Sequence, residues 1–217
     1  MRKTLVVMLA GLMALSAVGA AVAKPDKAKG PKGRNLVFLG MVTAVADDGV
    51  AETDDSLSVA FLHGNKHARQ HVQDNPGDVV VAITGDTKLR WAGNTIALTD
   101  LRVGDGVRVK ARGNDDGVTA KKVRFVPHRY HGTIESYDPA TGMGTMVVDK
   151  TNRVSAAYLA ALGSPASVPF VVTPTSQVNR EGGGDPQAGD EFEMRGRPTS
   201  DGTGVEVLRL NAAPPSA

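Results

Sequence analysis

The sequence predicts an all-β protein made of two small barrels of about five strands each, one following the other. Three observations carry this. Short segments alternate apolar with polar residues, Asp, Asn and Gly cluster between them as turn signals, and the pattern recurs at a fixed spacing in the second half of the chain.

The first element is an address rather than part of the fold. Arg2 and Lys3 precede an uncharged apolar run from Leu5 to about Ala20, and Ala21-Val22-Ala23 supplies small residues at a cleavage site. This order is that of a secretory signal peptide, read here as residues 1–23. Without Arg2 and Lys3 the remainder carries 23 Lys+Arg against 23 Asp+Glu, so the apparent basicity of the chain belongs to the export signal. An exported chain, periplasmic or extracellular, is the expectation. There is no cysteine, which excludes disulfides and thiolate metal sites and leaves packing alone to hold the fold. Residues 24–34, KPDKAKGPKGR, have no large apolar side chain and read as a disordered basic tether.

Residues 35–126 read as the first barrel. Leu36 to Val45 is a strand-like run ending at Asp47-Asp48-Gly49. Leu57, Val59 and Phe61 alternate with Ser58 and Ala60, and Val79 to Thr84 is an apolar run ending in Gly85-Asp86. Val107, Val109 and Ala111 alternate with Arg108, Lys110 and Arg112, so one strand face is apolar and the other basic. Asn114-Asp115-Asp116-Gly117 turns the chain, and Val123 and Phe125 continue the apolar face on the return.

Residues 127–130 read as a linker, 131–212 as the second barrel and 213–217 as a disordered tail. Gly132-Thr133-Ile134 echoes Gly40-Met41-Val42. Gly189-Asp190 echoes Gly104-Asp105, Asp201-Gly202 echoes Asp116-Gly117, and Leu208-Arg209-Leu210 echoes Val123-Arg124-Phe125; positions 189 and 104, 201 and 116, and 208 and 123 all differ by 85. Between the second and third strands each half has a short helix or loop insertion. In the second half Ser155 is the expected N-cap, Tyr158, Leu159 and Leu162 share a helical face, and Gly163 ends the turn. In the first half the matching stretch, Leu62 to Asn75, is polar.

Thr84-Gly85-Asp86-Thr87-Lys88-Leu89 followed by Leu98-Thr99-Asp100-Leu101-Arg102-Val103-Gly104-Asp105 resembles a family of exported bacterial domains of unknown function. The resemblance covers residues 36–126 well and 131–211 weakly, because Glu181-Gly182-Gly183-Gly184-Asp185-Pro186 replaces the Asp-Leu connection. It implies OB-like β-barrels, often in tandem, and assigns no catalytic residue.

Two clusters invite a binding function. His63, His67 and His71 fall at i, i+4 and i+8, and on a helix each adjacent pair could chelate Zn²⁺, Cu²⁺ or Ni²⁺. Three such positions span about 12 Å along a helix axis, too far for all to meet one ion. The alternative is a solvated face beside Lys66 and Arg69. His128 and His131 join only if the fold brings them near. The second cluster is the basic strand face, Arg108, Lys110 and Arg112 with Lys122 and Arg124 on the returning strand. It suggests envelope polyanions or nucleic acid as partner. Against nucleic acid, the chain has one Trp, three Tyr and five Phe, few platforms for stacking bases. The structural alternative is that outward charges keep a sheet unpaired.

No H-E-x-x-H, G-x-S-x-G or P-loop motif occurs, and Glu181 and Asp185 flank the Gly182–Gly184 run, where a phosphate would be repelled. The sequence therefore points to a non-enzymatic binding or structural module of the cell envelope, with metal binding and polyanion binding as the specific alternatives.

Overall fold

The computed structural model describes residues 33–47, 55–114 and 117–215. The signal peptide, nearly all of the tether, Asp48-Gly49, Asp115-Asp116 and the last two residues of the tail lie outside the described residues. Among the described residues two sheets, both within the compact unit Pro31–Ala217, make up an all-β fold with two short α-helices and one 3-10 turn, Leu98–Asp100. Among the described residues no helix is long and apolar enough to cross a membrane.

In the first sheet β1 (Arg34–Ala46) and β2 (Ser56–Gly64) pair antiparallel; α1 (Lys66–Asp74) follows, and β3 (Val79–Ala82) returns along β2. A hairpin of β4 (Lys88–Trp91) and β5 (Asn94–Thr95) turns through Ala92 and Gly93, both at positive φ. β6 (Gly106–Asn114) pairs with β1, and β7 (Gly117–Val126) with β6. The order is β3-β2-β1-β6-β7-β4-β5, and a parallel pairing of Val81 with Val118 and Ala82 with Thr119 joins β3 back to β7.

The second sheet contains β8 (His128–Asp138), β9 (Met143–Thr151), then α2 (Arg153–Ala161), β10 (Val168–Arg180), β11 (Glu191–Pro198) and β12 (Val205–Ala213). It closes as a barrel in the order β10-β12-β11-β8-β9. This order matches the ring of the first sheet strand for strand. The long β10 takes the places of β3 and β4, pairing with β12 in two stretches, at 170–172 and 177–180.

The landmarks coincide as well. Pairing slips at Leu39/Gly40 and at His131/Gly132. The Val42 N–H donates to Asp105 O and the Gly104 N–H to Val42 O, while Ile134 and Gly189 make the same two bonds with Asp190 and Ile134. The Asp105 carboxylate accepts the Arg102 N–H, and the Asp190 carboxylate accepts the Gln187 N–H, both at 2.9 Å. Each Gly-Asp thus ties a tight turn, with Gly104 and Gly189 at positive φ.

Some sequence-based boundaries move. Only Pro127 of the stretch read as a linker, 127–130, lies outside the strands; His128 and Tyr130 are fully buried, so they belong to the core. The spacing of 85 holds at the Gly-Asp turns but not on the last strand. The β11–β12 hairpin is longer, and the bulge omits Leu208 from the pairing where β7 omits Lys121. Leu210 and Ala212 therefore fill the places of Val123 and Phe125. The α2 cap is Asn152, not Ser155: Asn152 Oδ1 accepts the Ser155 N–H at 2.9 Å, and the buried Ser155 hydroxyl instead donates to Arg129 O. The polar stretch of the first half forms α1, capped by Asn65.

The two cores meet. Leu208 packs against the first cluster and Met41 against the second. Between them Arg197 of β11 reaches Asp105, and His128 is buried against Gly104 O and Tyr130 Oη, 3.0 Å from each.

Candidate functional site

The outward face of β6, β7 and β4 is a grid of cations. On β6 the buried Val107, Val109 and Ala111 leave Arg108, Lys110 and Arg112 exposed, as the alternation predicts. The pairing sets Arg108 directly opposite Arg124 and Lys110 directly opposite Lys122. Beyond β7, β4 sets Lys88 beside Lys122 and Arg90 beside Arg124. One row thus reads Arg90, Arg124, Arg108 and the next Lys88, Lys122, Lys110. Arg112 stands apart, opposite Thr119 and Asn35. A hollow of about 180 Å³ lies among Arg108, Lys110, Lys122 and Arg124.

Lys88 and Arg90 were missed in the sequence because β4 joins β7 by a parallel pairing, which no local pattern announces. The ion pairs among the described residues, Arg102–Glu206, Arg180–Asp190 and Arg197–Asp105, all lie elsewhere. Like charges placed opposite one another in a sheet destabilise it by roughly 0.2–1 kcal/mol per pair. Edge protection does not account for them, since β6 and β7 are both paired on either side. The face offers no stacking platform either. The nearby Trp91 ring is occupied by Phe125, 4.9 Å between centroids, and by the Arg197 guanidinium at 5.7 Å.

The histidines separate. His63 sits on β2 opposite Leu39 and lines a hollow with Arg108 and Val126. His67 and His71 lie on α1 and line a different hollow, about 590 Å³, with Arg34 and Asp74. His128 is engaged by Tyr130 and Gly104, and His131 pairs in register with Glu193 and Lys150. Among the described residues no group of three or more His, Asp or Glu side chains is placed to hold a metal ion. Of the three histidines of the sequence cluster, His67 and His71 thus share a helix and a hollow, while His63 lies on β2 and lines another.

Where the sheets meet, Arg197 forks onto Asp105, Nη2 to Oδ2 at 2.5 Å and Nε to Oδ1 at 3.3 Å. Burial pushes the Asp105 carboxyl up, and Arg197 with the Arg102 N–H pulls it back. Burial lowers His128 to about 4. A groove of about 500 Å³ opens on this junction between Met41, Arg102, Val103, Tyr158, Leu162 and Asp201.

No protein-family model matches the chain, and no curated protein matches it significantly. Among solved structures it is similar to residues 10–88 of CusF with Ag(I) from Escherichia coli, at 15% identity, covering 40% of this chain and 91% of that one with a TM-score of 0.30. At that score the likeness bears on neither fold nor function.

Proposed function

We propose that the chain is an exported, non-enzymatic binding module of the cell envelope, built as two OB-like barrels copied in tandem. Its ligand is an anionic polymer bearing phosphate or sulfate groups on a non-aromatic backbone, held on the β4–β7–β6 face. The observation that carries this is the double row of directly opposed cations on interior strands, none of which belongs to the ion pairs found among the described residues. Local rules of sheet stability are broken there, as they are at functional sites. The occupied Trp91 ring favours a ligand without bases over single-stranded nucleic acid. The signal-like N-terminus supports a ligand outside the cytoplasm.

The test is binding of a heparin-derived decasaccharide to the purified protein across a salt series. A ligand engaging six cations loses about 10³-fold in affinity between 50 and 200 mM salt, by analogy with phosphate contacts on DNA. Charge reversal at Arg108 and Lys110 should abolish retention. Binding that ignores both salt and these substitutions ends the proposal, and tighter binding of an oligothymidylate than of the glycan replaces the ligand class by nucleic acid.

A second reading rests on α1. His67 and His71 stand one turn apart on a formed helix and share a hollow with Asp74, so Zn²⁺, Cu²⁺ or Ni²⁺ would be chelated by this pair without His63. Uptake of Ni²⁺ lost in His67→Ala and kept in His63→Ala supports it; equal uptake in both variants discards it.

A further inference from the structure

The second sheet has an unassigned cationic row of its own. Arg195 of β11 stands directly opposite Arg209 of β12 on one side and Arg129 of β8 on the other. All three are exposed, and their neighbours Met194, Leu210, His128 and Tyr130 are buried, so the three side chains leave from the same outer face. Three guanidinium-bearing strands lie side by side, about 4.8 Å apart. None of the three arginines takes part in the ion pairs found among the described residues. Arg209 Nε makes a long bond to Asn211 Oδ1, 3.4 Å, and Glu193, the acid on the adjoining row, stays out of ion-pair distance. The backbone beneath is pinned, since the Arg129 N–H and C=O both bond the buried Ser155 hydroxyl.

By register Arg195 and Arg209 hold the places of Lys110 and Lys122 in the first sheet. The neighbouring row differs. Where the first sheet has Arg108 and Arg124, the second has Glu193 and Asn211. The second sheet therefore presents a site one row wide, made of arginine alone and bordered by an acid. A long polymer laid across it would meet Glu193; a short oxyanion would not. Guanidinium forks match the paired oxygens of phosphate.

We infer that Arg129, Arg195 and Arg209 form a second anion site, separate from the polymer face, that takes a short oligophosphate group. It deepens the envelope-binding reading but stands on different residues. Calorimetric titration of the purified protein with inorganic tripolyphosphate at low salt tests it. A variant with Arg108→Gln and Lys110→Gln should keep one binding event. Adding Arg195→Gln or Arg209→Gln should weaken that event by about tenfold each, from the loss of one charged hydrogen-bonding group, with no fall in melting temperature. Arg195→Lys, which keeps the charge but loses the fork, should fall between. Residual binding that vanishes in the first-sheet variant, or that persists unchanged in Arg195→Gln and Arg209→Gln, overturns the inference and leaves the polymer face standing. Tripolyphosphate binding lost with Arg195 but indifferent to Arg108 and Lys110 supports the inference, and the polymer face is then decided by the decasaccharide series alone.

Discussion

Arg197 on the second sheet and Asp105 on the first form a buried ion pair, with side chains only 6% and 0% exposed. The Arg197 Nη2 also donates to Asp100 O at 2.9 Å, and the guanidinium lies 5.5 Å from the Phe125 ring centre and 5.7 Å from that of Trp91. The equivalent carboxylate, Asp190, is held by Arg180 from its own sheet. One Gly-Asp turn is thus completed locally and the other by its neighbour.

Removing one partner leaves the other charge stranded out of water. Arg197→Ala is expected to lower stability by about 3–5 kcal/mol, read from urea unfolding. Replacing both residues, Arg197→Met with Asp105→Asn, should recover part of that loss. A cost well under 1 kcal/mol for Arg197→Ala would show that the pair does not hold the sheets together.

Acid should weaken the same junction through His128. The Gly104 carbonyl can only accept, so Nε2 carries the proton and Nδ1 accepts from the Tyr130 hydroxyl. Burial, with Arg197 nearby, lowers the folded pKa to about 4 from an ordinary 6.5. Between those values the unfolded chain binds the proton and the folded chain does not. The contribution is full above pH 6.5 and is lost as pH falls towards 4, by about 3 kcal/mol in all. Asp105, pushed up by burial, takes its proton earlier when folded and acts in the opposite sense at low pH. The difference between the wild type and His128→Gln in unfolding midpoint against pH isolates the histidine; parallel curves would refute its role.

Glycine is required where the register of two paired strands slips and the partner comes close. A Cβ on Gly132 would run into Val147 O, and one on Gly40 into Val59 Cγ1 and Ala60 O at 2.5 Å. Either Gly→Ala change should cost about 1–3 kcal/mol in thermal or urea unfolding. Gly85, with nothing within 4 Å of an added Cβ, should tolerate alanine within about 0.5 kcal/mol.

Stability and binding should move in opposite directions on the cationic face. Arg108→Glu sets an acid directly opposite Arg124, converting a repulsive pair into an attractive one. It should raise unfolding stability by about 0.5 kcal/mol while weakening polyanion binding. A variant less stable than wild type would mean that Arg108 contributes packing rather than stored repulsion.

Local pattern made much of this architecture legible. The strict alternation of 107–112 identified both the buried Val107 and Val109 and the exposed Arg108 and Lys110. Gly40 and Gly132, matched in the sequence as parts of an echoed triplet, both fall at register shifts where the paired strand leaves no room for a side chain. What escaped notice depends on distant partners. The parallel pairing of β4 with β7 brings Lys88 and Arg90 to the grid, and the bulge at Leu208 shifts the last strand out of the simple spacing. The row of Arg129, Arg195 and Arg209 was hidden for the same reason, its members lying on three strands, the first of them in a stretch that read as a linker. His128 reads as a linker residue because nothing in its neighbours signals a polar residue sealed between two sheets.

The sealed seam also bears on whether either portion can stand alone. Severed after Val126, the front portion would keep Asp105 but lose its guanidinium, and the rear portion would turn His128 and Arg197 out to water. Neither portion, expressed alone, should therefore fold as stably as it does within the whole chain.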